Sequence, residues 1–195
     1  MSLTINRKNE KRIASAFSHK LADIPNGVTV SGADLTQPVL HEGTAIGKDV
    51  NGLFHVIKTA MVTASADSAA TVITVKKGHN FKVGEFVFAV KGGKCYAITS
   101  IVDNASDEKN DDITVATSLG VALKAGEVIY LGGESGATKG AFKYEPIAVV
   151  GENYDVEYLS NTVVNAWTIA QLYEARVEVA VGATMKSALS TVKFI

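Results

Sequence analysis

The sequence contains few of the residues on which catalytic or metal-binding sites are usually built. Its 195 residues include one cysteine, Cys95, and four histidines that stand far apart. One cysteine excludes an intrachain disulfide and a zinc site built mainly from cysteines of one chain. The histidines form no His-x-His or His-Glu-x-x-His pair, and His55 reads as a satisfied strand histidine. Because Cys95 follows two glycines in a predicted hairpin, we expect a buried thiol.

Motifs that bind phosphate or activate a serine are also missing. Residues 132–139 look like a phosphate-binding loop, but Thr138 stands where glycine must precede Lys139. The Gly-Glu-Ser-Gly at 133–136 differs from a nucleophile elbow, since its second glycine comes one residue early. We therefore expect no catalytic residues and no cofactor.

The best candidate for a metal site is the acidic loop 103–112. Its carboxylates at Asp103, Asp107, Asp111 and Asp112 are the oxygen ligands that Ca²⁺ prefers. The spacing does not fit an EF-hand loop, which requires glycine at its sixth position. A solvated loop tip is the favoured interpretation, and calcium binding stays open as the alternative.

Long apolar runs and an excess of one charge are absent as well. No run approaches the 18 apolar residues of a membrane-spanning helix, and the polar N-terminus does not resemble a signal peptide. The net charge of −1 argues against general nucleic-acid binding. We expect a folded protein with no nucleic acid partner and no membrane insertion.

One pattern is present twice between residues 73 and 131. The Ile-Thr-Val at 73–75 and the Lys-Val-Gly-Glu at 82–85 return as Ile-Thr-Val at 113–115 and Lys-Ala-Gly-Glu at 124–127. Glycine permits the backbone angles of such a turn, and β-branched residues favour the flanking strands. Two related strand–turn–strand units predict a small antiparallel β-barrel or sandwich built by doubling.

The rest of the chain from residue 28 also reads as β structure, so we predict one β domain at 28–195. Short β-branched runs separated by turn residues favour an antiparallel architecture over parallel βαβ units. Residues 138–162 read as irregular, and residues 184–190 as a short C-terminal helix. Strands are predicted at residues 28–30, 53–59, 71–76, 85–90, 96–102, 113–116, 128–131, 165–172, 176–181 and 192–195.

The N-terminal segment 1–27 differs from this domain in charge and in pattern. Its first 24 residues carry a net charge of +3, which leaves −4 on the remainder. Apolar residues at four-residue intervals predict an amphipathic helical arm, which Pro25 ends. Either the helix packs on its own domain, or it docks on an acidic partner. For docking, the predicted contact residues are Arg7, Lys8, Lys11, Arg12, Ile13, Phe17 and Leu21.

The C-terminal part is rich in large apolar residues. It offers more hydrophobic surface than one small barrel covers, which favours a homo-oligomer that buries the surplus. The predicted oligomer interface includes Trp167, Ile169, Leu172 and Tyr173.

A series of short strings runs through the β domain. They are Ala-Ile-Gly-Lys at 45–48, Gly-Leu-Phe-His-Val-Ile-Lys-Thr-Ala at 52–60, residues 76–87, Ala-Gly-Glu-Val-Ile at 125–129 and the tail 186–195. Together these strings resemble head-fibre proteins of tailed bacteriophages over about residues 28–195. The resemblance implies a virion structural protein on the outer surface of the capsid, made in the host cytoplasm. It also implies a homotrimer, with the major capsid protein or another capsid subunit as partner.

Three hypotheses about function follow. The leading one is a capsid-mounted head fibre or decoration protein, because a doubled β scaffold suits repetitive surface display. The second is a receptor- or glycan-binding fibre module, in which Tyr144, Tyr154 and Tyr158 stack on host-surface sugars. The third is an enzyme of unrecognised type.

Overall fold

Almost every regular element of the chain is a short β-strand. The computed structural model describes residues 14–157 and 159–195, which form sixteen strands and one α-helix. The mainly β class and the short C-terminal helix are therefore confirmed. In chain order the elements are β1 (Phe17–Asp23), β2 (Val28–Val30), β3 (Val39–Leu40), β4 (Ala45–Lys48), β5 (Phe54–Val56), β6 (Thr59–Met61), β7 (Val72–Lys76), β8 (Phe86–Phe88), β9 (Cys95–Asp103), β10 (Asn110–Val115), β11 (Val128–Gly132), β12 (Ala148–Val150), β13 (Tyr154–Asp155), β14 (Thr162–Val164), β15 (Ala166–Leu172), α1 (Ala183–Ala188) and β16 (Val192–Phe194).

Eight strands from the two ends of the chain form one mixed sheet. Their order is β1-β15-β12-β4-β5-β2-β14, with β16 beside β15. The pairs β2–β5 and β15–β16 are parallel, and the other pairs in this sheet are antiparallel. A separate ribbon is made by β3 and β13. We call the eight-stranded layer the mixed sheet.

The repeated segments form a second sheet of six strands, which curls until its edges meet. Its order is β6-β11-β8-β9-β10-β7. The edge strands meet at a bridge between Val62 and Val75, where the Thr63 N–H donates to the Thr74 carbonyl at 2.9 Å. We call it the curled sheet, and its apolar interior contains Ile73, Val87, Ile98, Ile113 and Ile129.

The two copies of the repeat pair with each other in this curled sheet. Ile73 lies opposite its own equivalent, Ile113, and Phe88 lies opposite its equivalent, Tyr130. The strands beside these pairs are also related in the same way. β6 pairs with β11 of the second copy, and β9 pairs with β8 of the first copy. Pairing of equivalent positions defines a local twofold axis between the copies. The doubling predicted from the sequence is thus present in the structure, and the strands of one copy pair with the strands of the other.

Both Lys-x-Gly-Glu turns make the same hydrogen bonds. The Glu85 N–H donates to the Lys82 carbonyl at 3.2 Å, and Glu85 Oε2 accepts the Lys82 N–H at 2.8 Å. Glu127 and Lys124 repeat these bonds at 3.1 and 2.9 Å. The carboxylate therefore satisfies a backbone donor that the turn leaves unpaired, as a capping side chain does.

Alanine at Gly84 or Gly126 tests this turn geometry. Their φ angles are +91° and +92°, and nothing lies within 4 Å of an added Cβ, so backbone strain is the whole cost. We expect each substitution to lower the free energy of unfolding by about 1–2 kcal/mol, measured by urea denaturation. Gly133→Ala is the control, because Gly133 has no positive φ and its added Cβ makes only ordinary contact. Equal stability of all three variants would contradict the assignment.

The predicted N-terminal helix is wrong over its described part. Residues 17–23 form β1, which runs antiparallel to β15, with Phe17 opposite Leu172 and Asp23 opposite Trp167. Backbone hydrogen bonds to β15 outweigh the apolar spacing, although Lys20, Leu21 and Ala22 favour a helix by themselves. The predicted contact residues Arg7, Lys8, Lys11, Arg12 and Ile13 lie outside the described residues.

The side chains of β1 also fail to share one apolar face. The register against β15 shifts between Phe17 and His19 and again between Lys20 and Ala22. Phe17 packs against the buried core, whereas Leu21 is 71% exposed. Bulges and charged residues on an edge strand discourage pairing with another chain. Since β1 belongs to the mixed sheet, the segment 1–27 is continuous with the β domain in its described part.

Three further expectations differ from the structure. Residues 176–181 form no strand, although their β-branched pattern predicts one. The segment read as irregular, 138–162, contains β12 and β13 and the first residue of β14. The single strand predicted at 53–59 is two strands, because β5 joins the mixed sheet and β6 joins the curled sheet.

Candidate functional site

The strand β15 divides its side chains between the core and an outer side. Ala170 and Leu172 are buried, whereas Ile169 is 41% exposed and Tyr173, just beyond the strand, is 38% exposed. Trp167 has the same strand parity as these two, but it is half-buried and packs against the apolar cluster that contains Ala170 and Leu172. Leu172 is therefore a core residue of its own chain, and the predicted oligomer interface loses it.

Two cations lie over the aromatic side chains of this outer side. Lys20 Nζ is 5.5 Å from the Trp167 ring centroid and donates to the Gly151 carbonyl at 2.8 Å. The Arg176 guanidinium lies 4.5 Å from the Tyr173 ring centroid. Cation–π contacts of this kind hold both partners in place. We call this surface the outer face, and it consists of Trp167, Ile169, Tyr173, Lys20 and Arg176.

The chain crosses between its two sheets at Ile57 and Lys58. The Ile57 N–H donates to the Ala45 carbonyl of the mixed sheet at 2.9 Å, and the Lys58 carbonyl accepts the Leu131 N–H of the curled sheet at 3.0 Å. Lys58 is 2% exposed, and its Nζ lies 2.5 Å from Glu85 Oε1. Burial lowers the pKa of the Lys58 ammonium, and the adjacent Glu85 carboxylate opposes this shift.

The crossing point at Ile57 and Lys58 is called the junction below. The loop after β7 makes further hydrogen bonds that stabilise it. The Thr36 N–H donates to Asn80 Oδ1 at 2.8 Å, and Lys82 Nζ donates to the Ala33 carbonyl at 2.6 Å. Thr36 and Ala33 belong to the loop that follows β2, so these bonds join the mixed sheet to the repeated turn. The buried pair and these two bonds together fix one sheet against the other.

His79 is held in the same loop in its neutral form. Its side chain is 5% exposed, and its Nε2 lies 3.3 Å from Asp111 Oδ2 without hydrogen-bond geometry. Nδ1 accepts the Phe81 N–H at 3.2 Å, which places the proton of the neutral ring on Nε2. Burial lowers the pKa of His79 below its ordinary 6.5, and the Asp111 charge opposes the shift.

Replacing His79 by glutamine tests this burial through the pH dependence of stability. As the pH falls below 6.5, the unfolded chain binds a proton at His79 before the folded chain does. The folded state is therefore penalised on the acid side, and wild type should lose stability relative to His79→Gln as the pH falls below 6.5. Urea denaturation at a series of pH values measures this difference. His19→Gln, at an exposed strand position, is the control. Parallel stability curves for wild type and His79→Gln would refute the buried neutral imidazole.

His55 is paired within the mixed sheet, as the sequence predicts for a strand histidine. Its Nδ1 lies 2.8 Å from Asp34 Oδ2, and its ring stacks on Tyr144 with centroids 4.0 Å apart. These contacts engage both the ring face and a ring nitrogen. His55 thus ties β5 to the loop that carries Asp34.

Cys95 begins β9 and is buried, which confirms the predicted packed thiol. Burial raises the pKa of Cys95 to about 11, with the Glu134 charge adding to the effect. The thiol is therefore protonated at neutral pH, and a thiol rather than a thiolate is a poor nucleophile.

The carboxylates of the acidic loop 103–112 are engaged by Lys77 and by nearby hydrogen-bond donors. Asp103 and Asp111 lie 2.7 and 3.6 Å from Lys77 Nζ. Asp112 accepts hydrogen bonds from Thr74 on β7 and from Asn104 in the same loop, and Asp107 accepts the Lys109 N–H at 2.9 Å. Over residues 14–157 and 159–195, no three His, Cys, Asp or Glu side chains converge as metal ligands.

A cavity of about 370 Å³ lies beside the junction. One part of its wall is β6, and another is the segment 177–181. Lys58 and His79 also line it, so two titratable groups with shifted pKa values border the same space. The volume falls within the range of small-ligand pockets.

Comparisons with known proteins give this chain no relative. No family model, no curated protein and no solved structure matches it. No helix among the residues described has the length and apolar content required to cross a bilayer. Function must therefore be argued from the outer face and the junction.

Sequence reasoning found part of this geometry. It predicted the strand pairing of His55 and the burial of Cys95, but it missed the buried contacts of Lys58 and His79. For the contact between Lys58 and Glu85, the sequence marks only Glu85, because it belongs to a repeated turn that precedes a strand. Nothing in the sequence pairs Glu85 with Lys58, 27 residues earlier.

Proposed function

We propose that the chain is a non-enzymatic structural protein of a virion, mounted as a head fibre or decoration protein on the outer surface of a phage capsid. The observation that carries the proposal is the outer face of β15. Ile169 and Tyr173 are exposed at the end of this strand, Arg176 lies over the Tyr173 ring, and Lys20 lies over the half-buried Trp167. Aromatic residues and arginine are enriched in protein–protein interfaces, and they supply much of the binding energy there.

The chemistry of the junction supports a scaffold rather than a reaction centre. Lys58, which is 2% exposed, faces the Glu85 carboxylate in a contact that joins the two sheets. A buried charge of this kind is costly to separate from its partner, so it favours one arrangement of the two sheets. A rigid relation between the sheets suits repeated display on a particle.

The outer face and the N-terminal residues have separate tasks in this proposal. The outer face joins three copies of the chain, and the number three comes from the resemblance to head-fibre proteins. Residues 1–13 dock on the capsid, where Arg7, Lys8, Lys11 and Arg12 approach an acidic groove between capsid subunits. Such charges steer association and set orientation at the rim of an interface.

Two variants test these tasks separately. Ile169→Lys places a charge in the outer face, so light scattering at micromolar concentration should show a smaller mass than the wild-type trimer.

Deleting residues 1–13 leaves β1 intact, so this protein should keep its trimer and its thermal stability. The truncated trimer should no longer bind capsids of the phage that encodes the chain, as measured by co-sedimentation.

Val163→Lys is the matched control for the charge, because Val163 is 63% exposed on β14 at the far edge of the mixed sheet. It should leave both mass and capsid binding unchanged. A monomeric wild type, or full capsid occupancy after truncation, would show that the corresponding part of the proposal is wrong.

The cavity beside the junction favours a second candidate, a receptor- or glycan-binding fibre module. Its volume of about 370 Å³ suits a small polar ligand. The tyrosines predicted to stack on sugars give less support, because Tyr144 covers His55 and the Tyr154 hydroxyl accepts the Asn165 N–H at 2.9 Å. Tyr158 lies outside the described residues. Glycan-array binding that cavity substitutions abolish would favour this candidate.

A further inference from the structure

The turn between β4 and β5 contains one of the two Asn-Gly pairs in the chain. Asn51 and Gly52 are both exposed, and the preceding Val50 is fully exposed. The Asp49 side chain organises the turn, because its Oδ1 accepts the N–H groups of Asn51 and Leu53 at 2.8 and 2.9 Å. Gly52 has a φ of +87°, and nothing lies within 4 Å of a Cβ built on it. The peptide unit between Asn51 and Gly52 therefore borders open solvent.

The other Asn-Gly pair, Asn26 and Gly27, lies against a neighbouring strand. Asn26 has a φ of +67°, and β2 begins directly after Gly27. A Cβ built on Gly27 would lie 2.7 Å from the Val164 carbonyl oxygen, so the backbone at the end of β14 touches this glycine. The peptide unit between Asn26 and Gly27 therefore cannot rotate without moving one of these strands.

An asparagine that precedes glycine can lose ammonia without an enzyme. The glycine backbone nitrogen gives its proton to hydroxide and attacks the asparagine Cγ, so that a new C–N bond forms. The Cγ–Nδ2 bond then breaks, and ammonia leaves with a proton taken from water. Water next opens the cyclic imide at one of its two carbonyl groups, which leaves aspartate or isoaspartate. Glycine favours the attack because no Cβ shields its nitrogen.

The attack requires rotation of the peptide unit after the asparagine, until the nitrogen faces Cγ. We propose that Asn51 is a site of spontaneous deamidation in the folded protein and that Asn26 is protected from it. Each glycine N–H donates to the carbonyl three residues earlier, at 3.2 Å for Gly52 and 3.1 Å for Gly27, so this bond does not distinguish the sites. The space around the glycine does, because it is open at Gly52 and filled by Val164 at Gly27. The inference is independent of the proposed function.

The product would place a new negative charge in a polar cluster. Asn51 Nδ2 donates to Asp49 Oδ2 at 3.4 Å, and the same oxygen lies 3.7 Å from His55 Nε2. Deamidation replaces this donor by a carboxylate that faces Asp49, so the turn loses one contact and gains a repulsion between like charges. Isoaspartate also adds one carbon atom to the main chain of the turn. The modification therefore changes both the charge and the backbone of the β4–β5 hairpin.

Peptide mapping by mass spectrometry tests the proposal on the full chain. The folded protein and the same protein unfolded in guanidinium chloride are incubated side by side at slightly alkaline pH. The two Asn-Gly pairs should lose ammonia at similar rates in the unfolded chain, because the contacts around Gly27 are then gone. In the folded protein Asn51 should react about tenfold faster than Asn26, or more. Equal rates at the two sites of the folded protein would overturn the inference, as would an Asn51 that stays intact while the unfolded chain reacts.

Two variants assign the change to its residue and its route. Asn51→Gln should remove the slow acidic shift that isoelectric focusing detects in the ageing folded protein, because glutamine would have to form a larger ring. Asn26→Gly is the matched control, since glycine tolerates the positive φ at this position, and it should leave the shift unchanged. Methyl transfer by an isoaspartyl methyltransferase should detect isoaspartate at position 51. Aspartate without isoaspartate would indicate direct hydrolysis and would contradict the attack by Gly52.

Discussion

The buried contact between Lys58 and Glu85 is the interaction on which the relation between the two sheets depends. The chain passes from one sheet to the other within two residues, and the second of these carries the buried ammonium. Its partner belongs to a turn that the sequence repeats, so the pair ties the crossing point to the most regular part of the fold. Removing Glu85 would leave the buried Lys58 ammonium without its partner, which is why the arrangement resists alternatives. The bonds from Thr36 and Lys82 extend the same constraint to the loop after β2.

The sequence predicts the curled sheet better than the mixed sheet, and the reason is physical. The repeat marks its own strands, because glycine and glutamate at fixed positions are required by the turn in both copies. The mixed sheet contains short strands such as β12, whose three residues are all buried and therefore show no alternation. The apolar residues of the segment 17–23 have the spacing of a helix. Its pairing with β15 along the whole of β1 nevertheless makes it a strand. Residues 176–181 show the opposite case, because they carry a strand pattern and no described strand pairs with them.

The candidate interface illustrates how far strand periodicity reaches. A period of two separates Leu172 from Ile169 and Tyr173, and the structure follows this rule, since Leu172 is buried and the other two are exposed. Trp167 has the parity of the exposed pair, yet it is half-buried and packs against the cluster that contains Leu172. The cations over the aromatic rings could not be predicted, because Lys20 comes from a strand more than 140 residues away and Arg176 from a turn that no pattern indicates. The contacts of Lys58 and His79 could not be predicted for the same reason, because their partners lie far away in the sequence.

Together these features describe a doubled β scaffold in which a buried ion pair holds two sheets in one arrangement, and we propose its outer face as the surface of assembly. The central claim is that this assembly takes place on a capsid. Mass spectrometry of purified virions of the encoding phage, with copy number measured against the major capsid protein, tests the claim directly. The account predicts that the chain is present in purified particles in a fixed, multi-copy ratio to the capsid protein. Its absence from particles that are otherwise complete would contradict the account.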